Sequence, residues 1–384
     1  MFDDNRNSFS SVSSYAGEQD SLLSEEIVDE GLNNYAYQTL TFVMTPFILM
    51  SVFVMQVAMC IIESQIDSSH QEGLEGYYYL EYCRDYFLDS LEEAWLNAIY
   101  LIVVILVNVV LLPLMILSVV SIELSRLFAF VFCVPDINRE SNIFFQFIEW
   151  PARCLNQLIH NAALVAWLCG DSYPGRRYYD IQGAEDADTL VVAFAPMGYT
   201  HEVLSSDPFF MNKNLFDNFR LEHEPYGNIC NITFENQPVR DFATQRANYA
   251  DVVTTKINEK DFKKVIIVGL SMGGTYALSL ANDLHALFEK KEMPCYVQVD
   301  NSYDQLKNVI FSFGLFTPAL YIWRYWNMNN VKLYENIKEN KNITIHSTSV
   351  TVDSLLGPHK FKSYEHLEKS NGGHTDFNAL SRFP

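Results

Sequence analysis

The stretch KKVIIVGLSMGGTYALSLANDL, residues 263–284, decides the fold. Its β-branched start predicts a buried strand, its end has the character of a helix, and Gly-Leu-Ser-Met-Gly at 269–273 lies between them. A Gly-x-Ser-x-Gly sequence in this position predicts a sharp turn, because the small residues around the serine let strand and helix approach closely. The turn would project the Ser271 hydroxyl above the sheet, at the N-terminus of the helix.

Short β-branched runs alternate with helix-like segments on both sides of this stretch. The strand predictions are TLVVAFA (189–195), NICNITFE (228–235), KKVIIVGL (263–270), LKNVIFSF (306–313) and NITIHSTSV (342–350), with weaker strands at RRYYDIQG (176–183) and FKSYEHLEK (361–369). Between the second and third strands, RDFATQRANYADVVTTKI (240–257) has apolar residues at helical spacing. This alternation predicts an α/β fold with a mainly parallel central sheet.

With this order of elements, residues 185–384 resemble the α/β-hydrolase superfamily. The resemblance covers about half the chain and rests on motif order, so no subfamily is identified. Members carry nucleophile, acid and histidine in that order along the chain, which implies Ser271 as the nucleophile. Asp353 follows NITIHSTSV, where the superfamily has its acid. His374 stands in Asn-Gly-Gly-His-Thr near the C-terminus and resembles the catalytic base.

Other residues compete for these roles. Asp353 could instead be a solvated loop residue or a helix N-cap. Asp376 is close to His374 but follows it, which is the wrong order. No acid directly follows LKNVIFSF, so the superfamily's alternative acid position is expected to be empty. His359 and His366 are the next candidate bases, although His366 lies in a strand-like run far from the serine.

The oxyanion of an acyl-transfer reaction needs backbone N–H donors. The resemblance implies Met272, just after the nucleophile, as one donor, and the loop after TLVVAFA as the source of the other. Pro196 has no N–H and cannot serve. Met197-Gly198 stands where many members of the superfamily carry His-Gly, so the resemblance implies Tyr199 as the second donor and Met197 as the alternative. The His-Gly-Gly-Gly form of this loop is absent, which argues against the lipase-esterase group that carries it.

The interval 314–341, GLFTPALYIWRYWNMNNVKLYENIKENK, is unusually aromatic. Members of the superfamily often carry a lid between these strands. The aromatic residues fit either a core helix or a lid that touches acyl chains or a membrane.

The first half of the chain has a different character. Residues 1–30 are rich in Ser, Asp and Glu and predict a disordered acidic tail. The runs 31–62 and 94–122 contain no charged residue, and each is long enough to span a bilayer. They predict a transmembrane helical hairpin over 31–122, closed by an acidic loop.

Basic residues follow the second run, at Arg126, Arg139 and Arg153, so the positive-inside rule predicts that both termini and the hydrolase domain face the cytosol. Residues 123–175 predict interfacial or connecting helices, and packing as extra helices of a globular domain is equally consistent. The α/β-hydrolase domain is predicted over 176–384.

The charge pattern excludes nucleic-acid binding. The formal net charge is −21, and residues 1–94 contain 17 acids and 2 bases, whereas nucleic-acid binding needs a basic surface. The seven cysteines form no Cys-x-x-Cys pair and have no histidine at zinc-ligand spacing, so reduced thiols are expected and neither metal nor cofactor is predicted.

These observations predict a membrane-anchored serine hydrolase that cleaves an ester, thioester or amide through an acyl-enzyme. Its predicted partners are membrane lipids and an ester- or acyl-containing substrate, with lipid or acylated molecules favoured by the membrane anchor. The alternative is a non-catalytic α/β-hydrolase-like domain acting as a membrane-bound interaction module.

Overall fold

The structure is a computed structural model, and it describes residues 94–160, 177–183, 187–197, 229–237, 239–312, 314–351, 353 and 356–369. The predicted tail 1–30 and the apolar run 31–62 lie outside the described residues. The described part consists of an N-terminal group of helices packed against a seven-stranded sheet with its own helices.

Among the described residues, four helices precede the sheet: α1 (Ala94–Val131), α2 (Asp136–Ser141), α3 (Ile143–Ile148) and α4 (Trp150–His160). The charge-free run 94–122 is helical as predicted, and α1 continues beyond it to Val131. Buried α1 residues such as Leu114 and Ile122 belong to the same apolar core as the sheet. The helix therefore packs on the rest of the protein along one side.

The strands are β1 (Tyr179–Gly183), β2 (Thr189–Phe194), β3 (Ile229–Phe234), β4 (Lys264–Leu270), β5 (Cys295–Asp300), β6 (Ile343–Val350) and β7 (Glu365–Lys369). Their order is β1-β3-β2-β4-β5-β6-β7, with β1 antiparallel to β3 and the other neighbours parallel. The predicted mainly parallel α/β fold is confirmed. The chain steps outward from β2 to β3 and returns across β2 to β4, and open α/β sheets bind ligands beyond the carboxyl ends of strands at such a reversal.

Helices α5 (Phe242–Glu259), α6 (Met272–Lys290), α7 (Leu306–Ser312), α8 (Phe316–Tyr325) and α9 (Asn330–Ile337) complete the described helices, with a 3-10 turn at Gly357–His359. α6 packs on β4 and β5 and is flanked by α5 and α9. Val192, Ile267 and Val297 belong to one core with Tyr276 and Phe288 of α6, which holds the start of that helix at the carboxyl edge of the sheet.

One strand prediction is wrong. LKNVIFSF is not a strand, since Leu306–Ser312 forms helix α7, and the strand that follows α6 is Cys295–Asp300. A short apolar run does not distinguish helix from strand by itself. The real strand was missed because its apolar residues alternate with Tyr296, Gln298 and Asp300, so no continuous β-branched run marks it.

A buried ion network ties the N-terminal helices to the sheet region. Glu149 is fully buried and accepts hydrogen bonds from Ser125 of α1, Arg139 of α2 and Arg153 of α4 at 2.6–3.1 Å. Arg240, just before α5, lies 3.8 Å from the same carboxylate. Burial would raise the pKa of Glu149, but the charges of Arg153 and Arg240 with the Ser125 hydrogen bond outweigh it and lower the pKa.

Candidate active site

Ser271 occupies a strained turn between β4 and α6. Its φ of 55° and ψ of −118° lie in a region that residues with a side chain rarely adopt. Its amide donates to the carbonyl of Asp300 at 2.8 Å, which links the turn to the end of the neighbouring strand β5. The strand–serine–helix turn predicted from 263–284 is therefore formed.

The two glycines around Ser271 are required by close backbone contacts. A Cβ atom on Gly269 would lie 2.1 Å from the carbonyl oxygen of Gly273, and one on Gly273 would lie 2.3 Å from the carbonyl oxygen of Phe194 in β2. These distances are far inside van der Waals contact, so only glycine lets β4, α6 and β2 approach this closely.

Ser302 and Asn330 support the turn from below, and the sequence analysis did not identify them. Ser302 Oγ donates to the Ser271 carbonyl at 2.7 Å, and Asn330 Nδ2 donates to Ser302 Oγ at 2.8 Å and to the Tyr303 carbonyl at 2.7 Å. Asn330 is fully buried. Ser302 stands just beyond β5. A sequence analysis could have identified Ser302 only by placing that strand correctly.

Asp353 and Asp300 are the candidate acids beside the carboxyl ends of β6 and β5. Asp353 lies three residues beyond β6 and is 2% exposed, and its Oδ1 accepts from the amide of Leu356 at 3.0 Å. Asp300 ends β5, so the alternative acid position is occupied, and the expectation that it is empty was wrong because the strand had been misplaced. Asp300 Oδ1 accepts from Gln298 Nε2 at 2.5 Å and from the Thr348 hydroxyl.

The geometry separates these two acids. Gln298 lies two residues before Asp300 on β5, and Thr348 on β6 is the register partner of Asp300. Both side chains donate to the Asp300 carboxylate, so it is held among side chains of the sheet surface. Asp353 is instead on the loop beyond the sheet edge, three residues past the end of β6. The hydrogen bond that Asp353 accepts from the Leu356 amide resembles that of a helix N-cap, which is the alternative role stated above for Asp353.

The candidate histidines are only partly covered by the described residues. His374 and Asp376 lie outside them. His366 is in β7, with Nδ1 2.8 Å from Ser347 Oγ and Nε2 3.1 Å from Ser349 Oγ, and both ring nitrogens therefore contact the serines of β6. His359, in the 3-10 turn, has Nδ1 3.8 Å from Asp304.

Of the candidate oxyanion donors, Met272 is the first residue of α6, where amide N–H groups point out of the helix N-terminus. Met197 lies just beyond β2, and Tyr199 is outside the described residues. Met272, Ser271 and the end of β2 are thus adjacent to the same sheet edge, because the Gly273 contact brings α6 onto Phe194.

The aromatic interval 314–341 divides its side chains between core and surface. Tyr321, Tyr325 and Trp326 are buried, whereas Phe316 and Trp323 are exposed. The buried set reaches the active-site turn through ring contacts. Trp326 lies 6.4 Å from Phe242 by ring centroids, Phe242 lies 5.8 Å from Tyr276, and the Tyr276 hydroxyl lies 3.7 Å from Met272 Sδ.

Two further properties bear on function. Within the described ranges, no group of three or more His, Cys, Asp or Glu side chains is arranged to hold a metal ion. In the same part of the chain one helical stretch, Val104–Val131 of α1, is long and apolar enough to cross a membrane.

Comparisons with known proteins give distant likenesses. No protein-family model matches the chain, and no curated protein matches it. Solved structures that resemble it include a candidate esterase from Staphylococcus aureus (10% identity, TM-score 0.35, covering 51% of this chain and 72% of the other). A ferulic acid esterase matches at 13% identity and TM-score 0.34, covering 51% and 84%, and the thioesterase domain from the curacin biosynthetic pathway at 10% and 0.31, covering 53% and 92%.

These structural neighbours are esterases and thioesterases of the α/β-hydrolase fold. At TM-scores of 0.35 or below, the likeness gives no information about activity, which has to be judged from the residues of this chain.

Proposed function

We propose that this protein is a serine hydrolase that cleaves an ester, thioester or amide bond through an acyl-enzyme. The observation that carries the proposal is the strained turn at Ser271, with φ of 55° between β4 and α6. A backbone conformation of this kind is costly for a residue with a side chain, and such conformations cluster at active sites. Tight glycine contacts on both sides hold the serine there.

The reaction proposed for this site uses Ser271, His374 and Asp353. His374 accepts the proton of the Ser271 hydroxyl as Oγ attacks the carbonyl carbon of the substrate. Asp353 orients the imidazole and stabilises its charged form. The amides of Met272 and Tyr199 donate to the oxyanion.

The acyl-enzyme forms when the carbon–heteroatom bond breaks and His374 gives its proton to the leaving group. A water molecule, deprotonated by His374, then attacks the acyl carbon, and Ser271 leaves with the proton returned by the histidine. Each step conserves charge and needs no cofactor.

Burial and position support Asp353 over Asp300 as the acid. Asp353 is buried on a loop beyond the sheet edge, in the place where the resemblance expects the acid. Asp300 is engaged by Gln298 and Thr348 on the sheet itself. Asp300 supports the site in another way, since its carbonyl accepts from the Ser271 amide.

Attachment to a membrane belongs to the same proposal. Its support is the charge-free run 94–122 within α1, together with the exposed aliphatic side chains along that helix. Retention at a bilayer favours a lipid or an acylated molecule as substrate.

The test is labelling of the full-length chain with a fluorophosphonate probe, which reacts with an activated serine. Wild-type protein should label, and Ser271→Ala should lose labelling and lose turnover by a factor on the order of 10⁶, as expected when a nucleophile is removed. Ser312→Ala, a partly buried serine of α7 that donates within its own helix, is the matched control and should label normally. Labelling of Ser271→Ala at the wild-type rate, or no labelling of the wild type, would refute catalysis at this turn and favour a non-catalytic interaction module.

A further inference from the structure

Helix α1 has apolar side chains on both its buried and its outward side, and its buried side also carries polar ones. The side that packs on the protein carries Ser118, Ser121 and Ser125, all buried. Ser118 Oγ donates to the Leu114 and Pro151 carbonyls at 2.7 and 3.1 Å, and Ser125 Oγ donates to Glu149 at 2.6 Å. A helix on the surface of a water-soluble protein shows the opposite arrangement, with polar residues outward.

The outward side of α1 is aliphatic and aromatic. Exposed large apolar side chains run along it from Leu101 to Val131, and Phe130 is 83% exposed. At 100° per residue they cover an arc of roughly 160° of the helix, opposite the buried stripe. Monomeric soluble proteins usually expose apolar side chains singly or in small patches. The apolar area along the outward side of α1 is much larger than such a patch.

Helix α8 extends this surface. Phe316, Leu320 and Trp323, spaced four and three residues apart, form its exposed side. α8 runs beside α1: the Thr317 amide donates to Asn108 Oδ1 at 3.1 Å near one end, and Tyr325 donates to Glu123 at 2.9 Å near the other. The groove between the helices has a volume of about 450 Å³ and is lined mainly by apolar side chains of both. We call the outward sides of α1 and α8, with this groove, the α1–α8 face.

Charges at the α1–α8 face fit a lipid surface. Arg324 and Arg126 both reach Glu123, at 3.2 and 2.9 Å, and the two arginines are partly exposed. Trp323 is next to Arg324 in sequence. Arginine and tryptophan beside an apolar surface are typical of the boundary between hydrocarbon and headgroups, where their apolar parts are buried and their polar ends stay in water.

The dimensions of the face distinguish a helix α1 that spans the bilayer from one that lies parallel to the membrane plane. From Leu101 to Val131 the exposed apolar side of α1 is roughly 45 Å long at 1.5 Å per residue, whereas the hydrocarbon core of a bilayer is about 30 Å thick. If residues 101–122 spanned the bilayer, the exposed side chains of Leu127 and Phe130 would remain outside it. Glu123, which lines the groove with Arg324, also lies within the length of the face rather than at its end.

From these observations we infer that the α1–α8 face lies flat on one leaflet of a lipid bilayer, with α1 parallel to the membrane plane. The occupant is lipid hydrocarbon, and the groove between α1 and α8 is filled by acyl chains. The inference rests on the membrane attachment proposed above and replaces the predicted spanning orientation of this helix. Trp326, the residue that follows α8, is linked through Phe242 and Tyr276 to Met272 beside Ser271, so the proposed site lies on the body that the membrane would hold.

The orientation is tested by depth measurements on the full-length protein in phosphatidylcholine vesicles. An environment-sensitive fluorescent amino acid is introduced singly at positions 102, 109, 116 and 127, which lie on one side of the helix. Lipids brominated at different carbons of the acyl chain quench it according to depth. An in-plane helix gives the same shallow profile at all four positions, because they share one height above the bilayer centre.

A spanning helix gives a graded profile, with positions 109 and 116 deepest, and that outcome overturns the inference. Absence of quenching at every position also overturns it. With the reporter at 109, Leu320→Glu should weaken quenching at least about tenfold, since the apolar contact is lost and a charge must be desolvated. Val331→Glu, on α9, is the matched control because Val331 is also exposed, and it should leave quenching unchanged. None of these readouts depends on catalysis, so labelling at Ser271 can fail or succeed independently.

Discussion

Helices α6 and α1 are both rich in apolar residues and both contribute to the core, but their outward sides differ. α6 places Leu278, Leu280 and Phe288 in the core and turns Asp283 and Glu289 outward. α1 buries serines together with Leu114 and Ile122, and turns other leucine, isoleucine and valine residues outward. The difference shows that the surroundings of the two helices differ: water lies outside α6, and we propose lipid outside α1. Apolar content alone therefore does not identify a core helix.

The largest effect is expected on kcat, at the proposed site where α6 begins. Asp353→Asn should keep the shape of the loop but lower kcat by about 10⁴-fold, because an amide cannot hold the histidine in the productive tautomer. Asp300→Asn, on the sheet beside it, should have a much smaller effect on kcat. Steady-state kinetics with an activated ester measure both. Equal losses, or a larger loss at position 300, would make Asp300 the acid.

A second large effect should appear where the two helical regions are joined. Glu149→Gln removes the buried charge that Arg139 and Arg153 share, and loss of one partner from a buried ion pair costs about 3–5 kcal/mol. Denaturant unfolding in detergent measures the free energy. Asp283→Asn, which breaks a more exposed pair with Arg246, is the control and should cost below about 1 kcal/mol. Similar values for both variants would mean that the network does not hold α1 to the sheet.

The contrast between α6 and α1 is tested directly by one substitution made twice. Leu280→Ala in α6 should lower the free energy of unfolding by about 2–5 kcal/mol, because it opens a cavity in the core. Leu117→Ala on the outward side of α1 should change it by less than about 0.5 kcal/mol in detergent solution. If Leu117→Ala destabilises the protein as much as Leu280→Ala, the outward side of α1 is packed against protein and the contrast is wrong.

The smallest effect concerns His366 and pH. Burial and the charge of Lys362 lower the pKa of this histidine in the folded state. Because the unfolded chain then binds the proton more tightly, the stability from this group is present above its unfolded pKa, about 6.5, and is lost as the pH falls below it. His366→Gln should flatten the loss of thermal stability between about pH 7 and pH 5. An unchanged pH profile would mean that folding does not lower the pKa of His366.

The sequence predicted much of the site because strong local rules apply there. The turn at Ser271 needs glycine at 269 and 273, since backbone atoms occupy the places where Cβ atoms would be. Continuous β-branched runs predicted β2, β4 and β6 to within one or two residues. β5 was missed because its alternate residues are polar, and a half-polar strand of six residues has too little pattern to be separated from a loop.

Sequence by itself therefore determined the α/β fold, the position of Ser271 and the helical, apolar character of α1. The tertiary structure alone decided that Asp300 ends a strand, that Ser302 and Asn330 hold the Ser271 carbonyl, and that the apolar side of α1 faces outward. The physical reason is the sequence separation between the residues that interact. Turn geometry and hydrophobic runs are set by neighbouring residues, whereas the contacts of Asn330 and the direction of an apolar side depend on elements far away in sequence.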